Sequence, residues 1–328
     1  MDRLDALDGR HAALWSRIAE PDGIQEYTEV VGTLAVGPDA VSVTTPGGPE
    51  RVPRPDVVAV RPLPEGGEWS AVERLDDLCA DAWGALVESA AGRWRLRSAR
   101  GWSRSTDSAL AVGDPGSTVA GSLRAVRAFA DLHRIPARVQ VATGSPVDRE
   151  VTAHGWVPDT GHRRGPEVAV LVAPVVALAE DCHPGTWVED RPDDGWWYPG
   201  YPDGRPRRTV PRAARAVLDP VGSGLPLGFV TSLDLTDVPQ WTQGRLRAAV
   251  VGDHLHLSWP AVTDARVWGR QGDLAEMIAT AAHWSLERGA EWAVAQVAVG
   301  VDRSTFVNHF ARAHFVEHHR YRYLVPPP

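Results

Sequence analysis

A glycine-bracketed turn, Gly269 to Gly272, leads straight into a stretch with helical spacing. Leu274, Met277, Ile278, Ala281 and Ser285 fall at i, i+3, i+4, i+7 and i+11, one face of a helix. Gly289 stands where a helix C′ glycine belongs. The free N–H groups and the positive dipole end of such a helix make an anion site. Upstream, LHLSWPAV from Leu255 alternates and reads as a strand. His254, His256 and Ser258 share one face of it, and Leu255 and Leu257 the other. Imidazole titrates near neutrality, so His256 suits a general base, with Ser258 beside it. A solvated strand edge accounts for the same alternation. Downstream come a short strand AVAQV, a helix over Thr305–Ala313 and an aromatic final strand.

Trp196, Trp197, Tyr198 and Tyr201 cluster among Gly and Pro, which predicts a loop. Rings in such a loop suit an apolar acceptor, or a cation lying over a ring; packing onto the domain below is the structural alternative. His318 and His319 follow Glu317. Neighbours on a strand point to opposite faces, so no shared metal site is expected. No G-x-S-x-G, Walker loop or H-E-x-x-H occurs.

The chain has 328 residues, enough for two or three domains, and 43% are apolar, enough for real cores. All 34 basic residues are Arg, which codon usage in a high-GC genome explains. The net charge of −8 argues against a general nucleic-acid binder. Cys79 and Cys182 offer neither a disulfide framework nor a zinc set, and are expected reduced and buried. The first residues lack a signal peptide's apolar run and no segment approaches a membrane span, so a cytoplasmic protein is expected.

Residues 11–18 read as a short helix. Short β segments follow at Glu29–Val36, Val41–Thr45, Arg51–Val52 and Val57–Arg61, the pattern of a small SH3-like barrel over 1–67. A second unit spans 68–175. Ala71 to Trp83 is helical; Trp94–Arg97 and Ser108–Val112 are strands. Val119 to His133 is a helix, Val139–Ala142 a strand, Val147 to His154 a helix and Val168–Val172 a strand. A third unit, 176–328, repeats that order, with a helix over Pro211–Leu218 and strands at Leu227–Ser232 and Arg245–Val251.

The stretch from Leu255 to Leu324 resembles the acyl-CoA site of the GNAT superfamily of N-acyltransferases. That family places R/Q-x-x-G-x-G/A between a strand and a helix. Counting back from Glu287-Arg288-Gly289-Ala290 puts the motif glycine on Gly272. The closing YRYLVP also resembles actinobacterial members, and the alternation over 68–175 resembles the cofactor-poor half of tandem members. The resemblance implies an α/β fold: two GNAT-like mixed sheets flanked by helices, preceded by the barrel. It implies acetyl-CoA or another acyl-CoA as cosubstrate, a small amine as acceptor, no metal, no nucleic acid or membrane partner, and a monomer or homodimer. Pro260, Ala261 and Val262 would orient the acyl arm. Arg266, Gly269, Arg270, Gln271, Gly272, Asp273 and Leu274 would meet the cofactor phosphates, and Arg303, near the family's helix-opening Asn, would also contact the cofactor. Trp196, Trp197, Tyr198 and Tyr201 would cover the acceptor.

Several positions depart from the family pattern. Gly269 replaces Arg or Gln, Leu274 replaces Gly or Ala, and Asp273 adds a negative charge beside phosphate. Phe310 stands at the position of the tyrosine acid, and His314 replaces a small glycine. In the first repeat, GDPGST (Gly113 to Thr118) stands where a phosphate loop would, spoiled by Asp114 and Pro115. Two further readings therefore remain: a binding or regulatory protein that has lost transfer, and a scaffold recruited to another reaction.

Overall fold

The computed structural model describes residues 4–19, 25–45, 48–62, 68–161, 165–179, 186–197, 211–220, 223–233, 242–262, 272–299, 310 and 313–327. The chain divides into two compact units, Met1–Ala71 and Val72–Pro328.

The first unit is an antiparallel, barrel-like sheet of β1 (His11–Ala19), β2 (Gln25–Val36), β3 (Ala40–Thr45), β4 (Gly48–Pro53) and β5 (Val57–Pro62), in the order β4-β3-β2-β1-β5. The helix expected over residues 11–18 is instead the strand β1. Its partners β2 and β5 lie on either side, so Ala12 to Ser16 are all buried. A continuous apolar run has no strand alternation, and Ala and Leu favour helix, so the local pattern misleads where pairing decides. Gly32 lets β2 and β3 close up: a Cβ there would come 2.2 Å from the Thr44 carbonyl oxygen.

The second unit begins within α1 (Glu68–Trp83) and contains β6 (Val87–Ala91), β7 (Trp94–Ser98), β8 (Ala109–Leu110), α2 (Val119–His133), β9 (Val139–Ala142), α3 (Pro146–Ala153), β10 (Val157–Pro158) and β11 (Glu167–Pro174). There follow α4 (Val175–Leu178), β12 (Thr186–Glu189), α5 (Asp194–Trp197), α6 (Arg212–Leu218), β13 (Leu227–Leu233), β14 (Thr242–Val251), β15 (His254–Val262), α7 (Gly272–Leu286), β16 (Trp292–Val299) and β17 (Val316–Val325). Sequence signals set several helix ends. Thr118 and Ser145 accept from Gly121 N–H and Asp148 N–H as N-caps of α2 and α3. Gly289, at φ +79°, closes α7, with Ala290 N–H donating to the Ser285 carbonyl.

The strands make one mixed sheet in the order β12-β13-β14-β15-β16-β11-β17-β9-β8-β7-β6, with β10 on β17. The two repeats exchange their last strands. β11 ends the first repeat yet lies between β16 and β17. β17 ends the second yet also pairs with β9 of the first. One face of the sheet is apolar. There α2 and α3 cover Trp94, Leu96, Val139, Val141 and Leu324. α7 lies over Gly228 and Gly244, where a Cβ would come within 3 Å of Val188 and Met277 respectively. The face under α1 is polar: Asp77 and Asp81 bind Arg95, Asp76 approaches His319, and the Trp83 indole donates to Gln296 Oε1. No helix among the described residues is long and apolar enough to cross a membrane.

Candidate active site

The second repeat's sheet opens at one place. β15 and β16 run parallel and pair from His254 to Leu257, where Leu257 faces Ala295. Beyond Leu257 that pairing ends, although β15 continues to Val262 and β16 to Val299. β15 also carries a bulge: Arg247 faces Ser258, yet Arg245 faces Ala261. The bulge falls where the pairing with β16 has ended, and α7 starts at Gly272.

A buried polar group sits at the root of this opening. Arg247, on β14, lies on the face under α1. Its Nε donates to the Leu218 carbonyl at 2.8 Å, its Nη1 makes a long contact of 3.5 Å with Ser258 Oγ, and its Nη2 has no partner among the described residues. Burial pulls this guanidinium down to about 10, and the nearby Asp219 charge opposes the shift. His256 lies two residues from Ser258 on the same face and is fully buried. Neither of its ring nitrogens makes a well-formed hydrogen bond. Burial, then the Arg247 charge, lowers its pKa to about 3, while the Gln296 amide partly counteracts them. The imidazole is therefore neutral and weakly basic, not a base poised near neutrality. The solvated edge read from the alternation is absent too: His256 and Ser258 are as buried as Leu255 and Leu257. His254 stands apart in the hairpin, with Nδ1 2.6 Å from Asp253 Oδ1.

Aromatic rings wall this group. The Trp83 ring meets His256 edge-on at 6.0 Å and lies 6.1 Å from Trp102. Both pack on a cluster of Trp196, Trp197, Leu218 and Phe229. Trp196 and Trp197 are thus in a short helix and buried, rather than in a loop at a cleft mouth. Arg245 explains the difference. Its Nη1 donates to the carbonyls of Trp196 and Trp197 at 2.7 and 2.9 Å, and its guanidinium lies 5.4 Å from the Trp196 ring, drawing the segment onto β14. Trp196 also meets Phe229 edge-on at 4.9 Å. Tyr198 and Tyr201 lie outside the described residues.

Of the expected cofactor residues, Arg266, Gly269, Arg270, Gln271 and Arg303 lie outside the described residues. Gly272 and Asp273 open α7, and Pro260, Ala261 and Val262 close β15. Leu274 points inward and is buried with Met277 and Ile278. Phe310 is buried as well. Phe315 N–H donates to its carbonyl, closing a helix end whose left-handed residue is His314 at φ +62°. Phe310 and Phe315 occupy the two positions that pack together in that cap.

His318 and His319 do not point to opposite faces. Their Nδ1 atoms are 2.9 Å apart, because the pairing of β11 with β17 shifts by one residue there: Val170 faces His319 and Leu171 faces Glu317. The bulge brings both rings to one side. No group of three or more potential metal ligands occurs among the described residues.

The first repeat contains a counterpart that composition and periodicity did not reveal. Arg95-Leu96-Arg97 on β7 repeats Arg245-Leu246-Arg247 on β14, and Ser108 follows Arg97 by the same interval that separates Ser258 from Arg247. Arg97 N–H bonds the Ser108 carbonyl, as the register pairs Arg247 with Ser258. Arg97 Nη2, however, donates to both Ser108 Oγ and Gln140 Oε1 at 3.2 Å. The loop preceding α2 is also closed. Asp114 Oδ1 accepts from Gly116 N–H at 2.8 Å, and the turn at Gly92 lies so close that a Cβ there would be 2.1 Å from Pro115. The loop's own acid and the β6–β7 hairpin occupy the space an anion would need.

A sheet whose parallel strands part beside a bulged strand that is followed in the chain by a helix is the arrangement expected of the GNAT architecture. A family model described as "Probable histone acetyltransferase Rv0428c C-terminal" matches residues 70–324. The chain belongs to this family, within the GNAT superfamily. A GCN5-related N-acetyltransferase from Kribbella flavida has the same fold: TM-score 0.51 and 13% identity over 78% of this chain and 95% of that one. A tandem GNAT protein from the clavulanic acid biosynthesis pathway gives a TM-score of 0.49 and 14% identity, over 76% of this chain and 86% of that one. A putative GNAT acetyltransferase from Novosphingobium aromaticivorans gives 0.44 and 15%, over 77% and 99%. A search of curated proteins found no match.

Proposed function

We propose that the second repeat transfers an acyl group, acetyl in the simplest case, from CoA to a small amine. The observation that carries this reading is the opening between β15 and β16 beside the Ser258–Ala261 bulge, with α7 beginning at Gly272. The gap would take an extended pantetheine-like arm, and the amides of the first turn of α7 would meet a diphosphate. Arg266, Arg270 and Arg303 would supply the charge that Asp273 opposes. The amine nitrogen attacks the thioester carbonyl carbon, the C–N bond forms and the C–S bond breaks. The backbone of Pro260–Val262 would orient the carbonyl. His256, weakly basic, leaves the amine proton to water, and Phe310 leaves the thiolate to be protonated by solvent.

Phe310, packed in a helix cap and without a proton, and the inward Leu274 favour a second reading: a protein that keeps CoA binding and has lost transfer. Isothermal titration with acetyl-CoA, followed by thiol release with small amines and with a histone peptide, separates them. Binding with release for a small amine supports transfer. Binding without release for any acceptor supports the second reading. No heat at millimolar acetyl-CoA defeats both.

A further inference from the structure

We propose that Arg247, with Ser258, forms a carboxylate-binding subsite at the root of the opening, so that the acyl group or the acceptor carries a carboxylate. This rests on the acyl-transfer reading and names the substrate class for the same site. The argument starts from cost. A guanidinium removed from water loses several kcal/mol of hydration unless hydrogen bonds and an opposite charge replace it. Arg247 is fully buried, yet its head makes one good hydrogen bond and one at the limit of length, with Nη2 unmatched. Among the described residues the acid that acts on it is Asp219, through charge rather than a hydrogen bond. Buried polar groups left unmatched in this way call for an explanation.

The molecule supplies its own control. Arg97 occupies the matching position of the first repeat, and its Nη2 is held by Ser108 and Gln140 although its own Nε is unmatched; the difference lies at the terminal Nη2, satisfied in the first repeat and not in the second. In the second repeat Gln296 is turned to Trp83 instead, which leaves the Arg247 head facing Ser258. Ser258 is also the first residue of β15 past the parallel pairing with β16. A ligand seated in the gap would reach Arg247 by way of Ser258. A planar carboxylate matches guanidinium donors and a serine hydroxyl. His256 is neutral here, so it adds a hydrogen-bonding group without a competing charge.

The carboxylate has two possible sources, and one experiment separates them. Affinities for acetyl-CoA and succinyl-CoA are measured by titration on the full chain and on Arg247→Met. Melting shifts from L-alanine, L-phenylalanine and L-glutamate, and from L-alaninamide, are measured with acetyl-CoA saturating. A carboxylate on the acyl group makes succinyl-CoA at least tenfold tighter than acetyl-CoA, with the ratio falling to near one in Arg247→Met. A carboxylate on the acceptor gives shifts from amino acids, none from L-alaninamide, and loss of those shifts in Arg247→Met. If Arg247→Met does not fold, Ser258→Ala is used, and the ratio or shift should fall at least threefold. An acyl-CoA ratio near one in the wild-type chain, together with amino acids no better than L-alaninamide, overturns the subsite and leaves acyl transfer standing. The opposite failure is also distinct: no acetyl-CoA binding, but succinate raising the melting point only when Arg247 is present, keeps the subsite and sinks the transfer reading.

Discussion

Phe310 and Phe315 meet edge to face, with ring centroids 5.1 Å apart, while Phe315 N–H donates to the Phe310 carbonyl at 3.0 Å. Ring and backbone together close one helix end. Phe310→Tyr therefore places a hydroxyl in a buried apolar contact, at a cost of about 1–3 kcal/mol if it finds no partner. We expect a lower melting temperature and no gain in turnover. A folded, equally stable Phe310→Tyr with faster thiol release would show that the position still serves the departing thiolate.

Trp196→Ala should destabilise the second unit by ~3–5 kcal/mol, the usual cost of truncating a buried large aromatic. Arg245→Met should weaken the same region, because the carbonyls of Trp196 and Trp197 lose their shared donor. Denaturant unfolding checks both. Unchanged stability with weakened amine binding would return these rings to the acceptor site.

The two arginines should respond differently. Arg97→Met strips Ser108 and Gln140 of their shared donor and should cost about 1–3 kcal/mol. Arg247→Met removes a buried charge with few compensating bonds, and such replacements are often neutral or stabilising. Equal losses in urea melts would mean that the Nη2 contacts of Arg97 add nothing that Arg247 lacks.

His256 makes stability depend on pH. Its folded pKa, about 3, lies below the unfolded value near 6.5. Above that upper value neither state binds the proton and the full stability is present. As pH falls from there towards 3, only the unfolded state takes up the proton, and stability drops by at most about 1.4 kcal/mol per pH unit from this group. His256→Gln should flatten that slope. The rate profile, in turn, should show no inflection from His256 near neutrality. An imidazole resonance titrating at pH 6 to 7 in the folded chain would contradict the buried neutral state.

CoA should bind once per chain. Gly272→Glu, which sets an anion at the start of α7, should weaken it at least tenfold. Gly92→Ala should reduce stability without touching affinity, because Gly92 has φ +60° and no room for a Cβ beside Pro115. A second equivalent of CoA in the titration would show that the loop before α2 still opens.

Much of this was legible in the residues, wherever the signal is local. Thr118, Ser145 and Gly289 mark helix ends by chemistry that works within one turn, and the Leu274–Ser285 stripe faces inward as its spacing requires. What sequence reasoning missed depends on strands far apart in the chain. β1 is a strand because two partners flank it. The neighbouring His318 and His319 face each other because of a register shift against β11. Arg247 carries no local signal: an arginine in a strand reads as solvated until what covers it is known. The repeated Arg-Leu-Arg, each followed by serine at the same interval, was the available clue. The Arg245 bonds that bury Trp196 link positions no periodicity connects.

The crossing of β11 and β17 between the repeats has a consequence for the timing of synthesis. Residues 68–174 leave the ribosome with β9 lacking the neighbour it pairs with in the finished sheet, because β17 is made last. β11 likewise waits for both β16 and β17. Neither repeat can complete its sheet until residue 325 has emerged. Until then, unpaired strand edges stay open to other chains, and closure relies on slow, long-range pairing. Chaperone dependence, and failure of either half expressed alone, follow from where two strands lie rather than from any weakness in the core.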